Sequence, residues 1–117
     1  MKKAHLAFGT DWPVEPLSPL IGLYAAVTRK DPAENPSQPS WYVRESISLI
    51  EALKAYTIGA AYAEFQDSLK GSLEVGKLAD MVVLTKDIFV LPPKEILNTE
   101  VEATIFDGQV IYVREEE

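Results

Sequence analysis

The Asp107-Gly108 pair constrains the fold of this chain more than any other sequence feature. It stands between two runs rich in β-branched and aromatic residues, 101–106 and 110–113. An Asp-Gly pair favours the two-residue type I′ turn, which needs positive φ at both positions and joins antiparallel strands. The pattern therefore predicts a C-terminal β-hairpin. A further β-rich run over 79–85 predicts a third strand nearby.

A capping-box pattern predicts the start of a helix in the middle of the chain. Ser48 is followed three residues later by Glu51, so that the serine hydroxyl can accept from the N3 amide while the glutamate reaches back to the cap. The apolar residues over 49–56 then recur on one helical face. Thr57 is predicted to cap a second short helix through the alanines of 60–63.

The N-terminal part of the chain alternates between apolar and loop-forming segments. His5 to Gly9 is predicted to be a short strand buried on both faces, as in a parallel sheet. Pro19 suits the first turn of a helix over 20–27. Residues 30–40 hold three prolines and few apolar side chains, which predicts an extended surface loop. A helical turn is expected at 94–97, after two prolines.

These patterns together predict an α+β fold for the 117 residues. We expect one N-terminal strand, helices in the first two-thirds and at least three strands in the last third. The predicted core consists of Leu20, Leu23, Val27, Leu49, Leu53, Tyr56, Ala60, Leu78, Val82, Leu84, Val101, Ile105, Val110 and Tyr112.

Charge and composition exclude several classes of partner. The net charge of −7 would repel a phosphate backbone, so nucleic acid is not an expected partner. No apolar stretch approaches the roughly 20 residues that a bilayer span needs, and the N-terminus lacks the apolar core of a secretory signal, so the cytoplasm is the expected location. The chain contains no cysteine, which excludes disulfides and thiolate metal ligands.

Asp11 is the polar residue with the clearest chemical potential. It follows directly after the predicted N-terminal strand, at the strand end where open α/β sheets and α/β barrels place reactive groups. A carboxylate there can bind a cation or accept a proton from water. Alternatively, it hydrogen-bonds its own loop backbone in an Asx turn. The neighbouring Trp12 either lines a substrate pocket or is a buried aromatic residue.

Other candidate residues have simpler interpretations. His5 is the only histidine, so the chain cannot supply the several ligands of a usual catalytic zinc site, and His5 itself is expected to fill surface space. Arg29 and Lys30 either bind an anion or complement the negative end of the preceding helix. A serine or cysteine nucleophile with a histidine base is not expected either.

Several segments together resemble the C-terminal end of the amidohydrolase superfamily, specifically amidohydrolase family 3, the group that includes the N-substituted formamide deformylase-like proteins. The resemblance spans roughly 6–112. The most specific part is the stretch Gly-Ser-Leu-Glu-Val-Gly-Lys-Leu-Ala-Asp beginning at Gly71. The other parts are Phe8-Gly9-Thr10-Asp11-Trp12-Pro13-Val14, Ala26-Val27-Thr28-Arg29 and the helix over 49–57.

The resemblance implies a fold and a role for this chain. Residues 1–70, including the proline-rich loop 30–40, would be the last strand and helices of a TIM barrel, and 71–117 would be strands of a composite β-sandwich. Asp11 would correspond to the aspartate that binds a divalent metal such as zinc and acts as general base, and Trp12 and Val14 would border the substrate. Asp87 and Asp107 would be turn residues.

The histidine ligands of that family would lie upstream of Met1. The chain is therefore expected to be a fragment of a longer hydrolase of non-peptide C–N bonds, a truncated reading frame, or the partner of an upstream hydrolase segment. We expect it to be inactive alone. The alternative is a non-catalytic oligomeric interaction module. In either case, exposed apolar surface and open strand edges predict a homodimer or larger oligomer.

Overall fold

The computed structural model describes residues 4–33, 35 and 37–115. Helices precede a three-stranded antiparallel sheet, which confirms the predicted α+β class. The elements are α1 (Pro19–Thr28), a 3₁₀ turn (Val43–Glu45), α2 (Leu49–Lys54), a π-helical turn (Ala55–Gly59), α3 (Ala60–Ala63), β1 (Met81–Leu84), a 3₁₀ segment (Pro93–Asn98), β2 (Val101–Phe106) and β3 (Gln109–Val113).

The predicted capping box forms at the start of α2. Ser48 Oγ accepts from the Glu51 amide at 3.3 Å, and the Ser48 amide donates to Glu51 Oε2 at 2.9 Å. These bonds satisfy two backbone donors, one at the helix N-terminus and one at the cap itself. The prediction for Thr57 is wrong, because the helix runs on through the π-helical turn without interruption. Thr57 lies inside it and its hydroxyl donates to the Leu53 carbonyl at 2.8 Å.

The π-helical turn holds the N-terminal segment against the helix. The Phe8 amide donates to the Ala55 carbonyl at 3.0 Å, at the first residue of the wider turn. Gly59 is required on the same face, because a Cβ there would overlap the Leu6 carbonyl oxygen. The phenyl ring of Phe8 also meets the Tyr56 ring edge-on, with 5.5 Å between centroids. The segment before Asp11 is thus anchored by helix contacts.

The predicted strand over 5–9 is not formed. Within the described chain, the backbone of this segment pairs with no strand, and the Phe8 amide donates instead to the Ala55 carbonyl of the helix. A strand is defined by pairing with a neighbour, and among the described residues the sheet consists of β1, β2 and β3. The apolar run at 6–8 therefore does not by itself produce a strand in the described structure.

The C-terminal sheet matches its sequence signals. β2 pairs antiparallel with both β1 and β3, in the order β1-β2-β3. Asp107 and Gly108 have φ of 48° and 75°, as the type I′ turn requires. The Asp107 amide donates to Asp80 Oδ1 at 2.8 Å, which ties the hairpin turn to the residue preceding β1. The helical turn predicted at 94–97 is the 3₁₀ segment Pro93–Asn98.

The core lies between the helices and the connection that joins β1 to β2. Leu23 of α1 and Ala52 of α2 are buried together with Ile88 and Ile96. Six of the other predicted core residues pack partly buried against this cluster, namely Leu20, Val27, Leu49, Leu53, Tyr56 and Leu84. Residues on both sides of position 70 therefore share one core.

Three predicted core residues, Val82, Val110 and Tyr112, are exposed instead. Every residue of β3 is exposed, because this edge strand has no second layer over it among the described residues. An alternating apolar pattern indicates a strand, but burial needs an opposing layer. In the part of the chain that the structure describes, no helix is long and apolar enough to span a membrane.

The loop between Gly71 and Gly76 is held by a single ammonium group. Both glycines have positive φ, 91° and 95°, which favours glycine. Lys77 Nζ donates to the Asp67 carbonyl at 2.6 Å and to Ser72 Oγ at 2.7 Å, and its side chain is largely buried. The glycines and the lysine of the Gly71 stretch therefore have structural roles in shaping this turn.

Candidate functional site

Asp11 lies on a tight turn that follows the anchored N-terminal segment. Its φ of 51° is left-handed, and the turn is closed by the Val14 amide on the Asp11 carbonyl at 2.9 Å and by the Glu15 amide on the Thr10 carbonyl at 3.2 Å. The Asp11 side chain is exposed and makes no hydrogen bond or ion pair within the described residues. The Asx-turn interpretation is therefore wrong, and the carboxylate is available to a ligand.

Trp12 and Val14 project from the same turn into solvent. They are 65% and 73% exposed, so the interpretation of Trp12 as a buried aromatic residue is wrong. Large apolar side chains that remain this exposed beside an unpaired carboxylate are typical of a surface that contacts another molecule or another part of a protein. Neither side chain lines the cavity that opens beside this turn.

The described residues do not form a metal site. No group of three or more histidine, aspartate or glutamate side chains comes together in them. His5 stacks on the Tyr62 ring at 4.6 Å between centroids, which agrees with a packing role. Structural and catalytic zinc sites use at least three protein ligands, so Asp11 by itself does not fit a bound metal. Further ligands would have to come from another polypeptide segment.

A cavity of about 500 Å³ opens beside the Asp11 turn, and Gly9 and Thr10 form part of its wall. Arg29 also lines this cavity. It caps the C-terminus of α1 and has a left-handed φ of 57°. The Arg29 carbonyl accepts from the Trp41 amide at 2.9 Å, while Arg29 Nε donates to the Trp41 carbonyl at 3.4 Å. The guanidinium also lies over the indole ring, 5.4 Å from its centroid.

The contacts between Arg29 and Trp41 close the base of the proline-rich loop 30–40. The sequence suggested Arg29 only as an anion ligand or a complement to the helix end, and it gave no sign of the pairing with Trp41. The two residues are twelve positions apart, and no local pattern links them. The Tyr56 phenol lines the same cavity next to Gly22, and burial raises its pKa.

A model of the amidohydrolase family matches residues 1–112 of the chain. The chain belongs to this family. It is similar to the putative amidohydrolase YtcJ of Bacillus subtilis, with 36% identity over 91% of this chain and 20% of that protein. It is also 33% identical to N-substituted formamide deformylase of Arthrobacter pascens, over 94% of this chain and 20% of that enzyme.

Two further comparisons place the chain within larger proteins. Protein LONG AFTER FAR-RED 3 of Arabidopsis thaliana is 40% identical over 93% of this chain and 18% of its own length. A crystal structure of an amidohydrolase from Thermotoga maritima superposes with a TM-score of 0.66 at 24% identity, over 94% of this chain and 23% of the other. The fold therefore matches part of an amidohydrolase, and the chain spans about a fifth of the length of these relatives.

Proposed function

We propose that this chain supplies the C-terminal part of a metal-dependent hydrolase in the cytoplasm that cleaves non-peptide C–N bonds of small amides, including N-substituted formamides. Residues 1–70 would complete its TIM barrel and 71–117 its composite β-sandwich. Family membership over 1–112 supports the hydrolase class, and the name of the Arthrobacter relative supports the formamide substrates.

The exposed, unpaired carboxylate of Asp11 carries this proposal. The left-handed turn presents it at the end of the segment that we assign to the last barrel strand of the complete enzyme. In the assembled enzyme we assign Asp11 two functions. It would be one ligand of a divalent cation such as zinc, and it would accept a proton from water. Trp12 and Val14, on the same turn, would border the substrate.

The remaining ligands must come from the part of the enzyme that this chain does not contain. A single carboxylate neither holds zinc firmly nor brings a bound water towards neutral pKa. We therefore expect no amide hydrolysis by the isolated chain, even with added zinc or manganese. The family is metal-dependent in general, so the cation is expected in the completed enzyme.

Completion of the active site tests the proposal directly. The aligned segment of the Arthrobacter enzyme is replaced by residues 4–113 of this chain, and release of formate from an N-substituted formamide is measured. We expect turnover by this chimera and none by the same enzyme with the segment deleted, because the chain supplies the missing carboxylate and barrel wall. A folded, zinc-loaded chimera without turnover would contradict the proposed function.

A second candidate function, a non-catalytic oligomeric module, is favoured by the exposed sheet. Val110, Ile111, Tyr112 and Val113 of the edge strand β3 are all exposed, and the outer side of that strand is unpaired in the described structure. An open apolar edge of this kind promotes association with another strand. A second copy of the chain or an upstream hydrolase segment would cover it.

Sedimentation equilibrium tests this surface on the isolated chain. At micromolar concentration we expect twice the mass of a single chain, because pairing removes the edge and buries its apolar side chains. The double variant Ile111→Lys, Val113→Lys adds two positive charges to β3 and should be a monomer. Val90→Lys is the control and should leave the dimer intact, because Val90 is exposed and lies outside the sheet. A monomeric unmodified chain would contradict self-association.

A further inference from the structure

The cavity beside the Asp11 turn has the size and composition of a small-molecule site. Its volume of about 500 Å³ falls within the range of ligand pockets, roughly 300–1,000 Å³. Its wall combines the backbone that leads to Asp11, one face of α1 and the closed base of the proline-rich loop. A ligand here would therefore lie beside the turn that carries Asp11, the residue to which we assign the proton transfer.

Arg29 is a preorganised donor at this site. Its Nε donates to the Trp41 carbonyl at 3.4 Å and its guanidinium lies 5.4 Å from the centre of the indole ring, and these two contacts restrict the orientation of the side chain. Its two terminal amino groups make no hydrogen bond or ion pair within the described residues. These groups can donate to a ligand oxygen without first breaking an internal contact, and a charge-assisted bond of this kind is strong.

The remainder of the wall favours an uncharged ligand with an apolar body. Two basic residues, Arg29 and Lys30, are matched by two acidic ones, Glu15 and Asp31, so the charges of the wall cancel. A charged ligand therefore gains no net attraction from the cavity as a whole. Apolar surface is available from Ile21, Ala25 and Trp41.

We propose that this cavity binds the aromatic or other apolar substituent of an uncharged amide, whose carbonyl oxygen accepts from the Arg29 terminal amino groups. The substituent would pack against the Trp41 ring and the apolar face of α1. This inference rests on the proposed function, because it assigns the substrate class and one substrate-binding surface of the same hydrolase. It makes Arg29 and Trp41 specificity-determining residues.

Binding of phenylacetamide to the 117-residue chain tests this inference without requiring catalysis. The probe is titrated while the two indole N–H signals are followed by nuclear magnetic resonance, with the Trp41→Leu variant used to assign them. We expect the Trp41 signal to shift, with a millimolar Kd because the probe is small and the site is open. Arg29→Gln should weaken binding about tenfold, since it removes a charge-assisted donor.

Two comparisons make the result specific. Arg44→Gln removes an equivalent charge from the exposed 3₁₀ turn outside the cavity and should leave the Kd unchanged, and circular dichroism checks that both variants fold. Phenylacetate, the anionic analogue, should bind no more tightly than phenylacetamide, because the charges of the wall cancel. Equal binding to Arg29→Gln, tighter binding of phenylacetate, or no shift of the Trp41 signal would each overturn the inference.

The outcomes also separate this inference from the proposed function. An active chimera combined with no phenylacetamide binding at Trp41 would reject the cavity assignment alone. Binding with the predicted Arg29 dependence, combined with an inactive folded chimera, would reject the hydrolase assignment and leave a ligand site on this chain.

Discussion

Replacement of Asp11 by asparagine in the chimeric hydrolase is expected to lower kcat by about 10²–10⁴-fold, the range typical of a lost general base. Asparagine preserves the size of the side chain and tolerates the left-handed backbone at φ 51°. It carries no charge and accepts no proton at neutral pH. Steady-state hydrolysis of an N-substituted formamide measures the effect.

Asp107→Asn is the matched control for this change. Asp107 is also exposed and also has positive φ, 48°, so asparagine fits its backbone equally well. It lies in the β2–β3 turn and should leave kcat close to that of the unmodified chimera. If Asp11→Asn and Asp107→Asn have the same turnover, Asp11 has no catalytic function and the central assignment is lost.

Ile96→Asp should prevent folding of the chain. Ile96 is 1% exposed and forms part of the core with Leu23, Ala52 and Ile88. Loss of its side chain costs about 2–5 kcal/mol in packing and transfer. The aspartate adds the cost of a buried charge or of its protonation. This sum approaches the whole stability of a small domain, about 5–15 kcal/mol, so urea titration by circular dichroism should show no native baseline.

Ile50→Asp is the same chemical change at an exposed position. Ile50 is 55% exposed in the first turn of α2, where a negative charge interacts favourably with the helix N-terminus. The urea midpoint of the Ile50→Asp variant should equal or slightly exceed that of the unmodified chain. A cooperative transition for Ile96→Asp at the same midpoint would mean that the core is misassigned.

Sequence patterns predicted the candidate site only where it is local. Asp11, Trp12 and Val14 are neighbours in the chain, and their shared turn follows from residues within a few positions. The pairing of Arg29 with Trp41 was not predicted, because it depends on how a proline-rich loop of eleven intervening residues returns to α1. An arginine and a tryptophan twelve positions apart do not by themselves indicate a contact.

Burial was the least predictable property of the fold. Ile88 and Ile96 lie between β1 and β2, in an irregular and a 3₁₀ segment, where no hydrophobic period marks an inward face. They were therefore absent from the predicted core. Val82, Val110 and Tyr112 carry a clear strand pattern and are nevertheless exposed. Periodicity identifies the element, whereas burial depends on which other element packs against it.

The amino-acid sequence by itself determined the capping box of α2, the type I′ hairpin turn and the location of the Asp11 turn. Each of these depends on backbone preferences and hydrogen bonds between residues at most a few positions apart. Only the tertiary structure decided that the segment before Asp11 rests on a π-helical turn and pairs with no strand among the described residues, and that Arg29 and Trp41 meet at the wall of a cavity. Those features depend on contacts between distant segments, whose free energy is set by the packing of the whole chain.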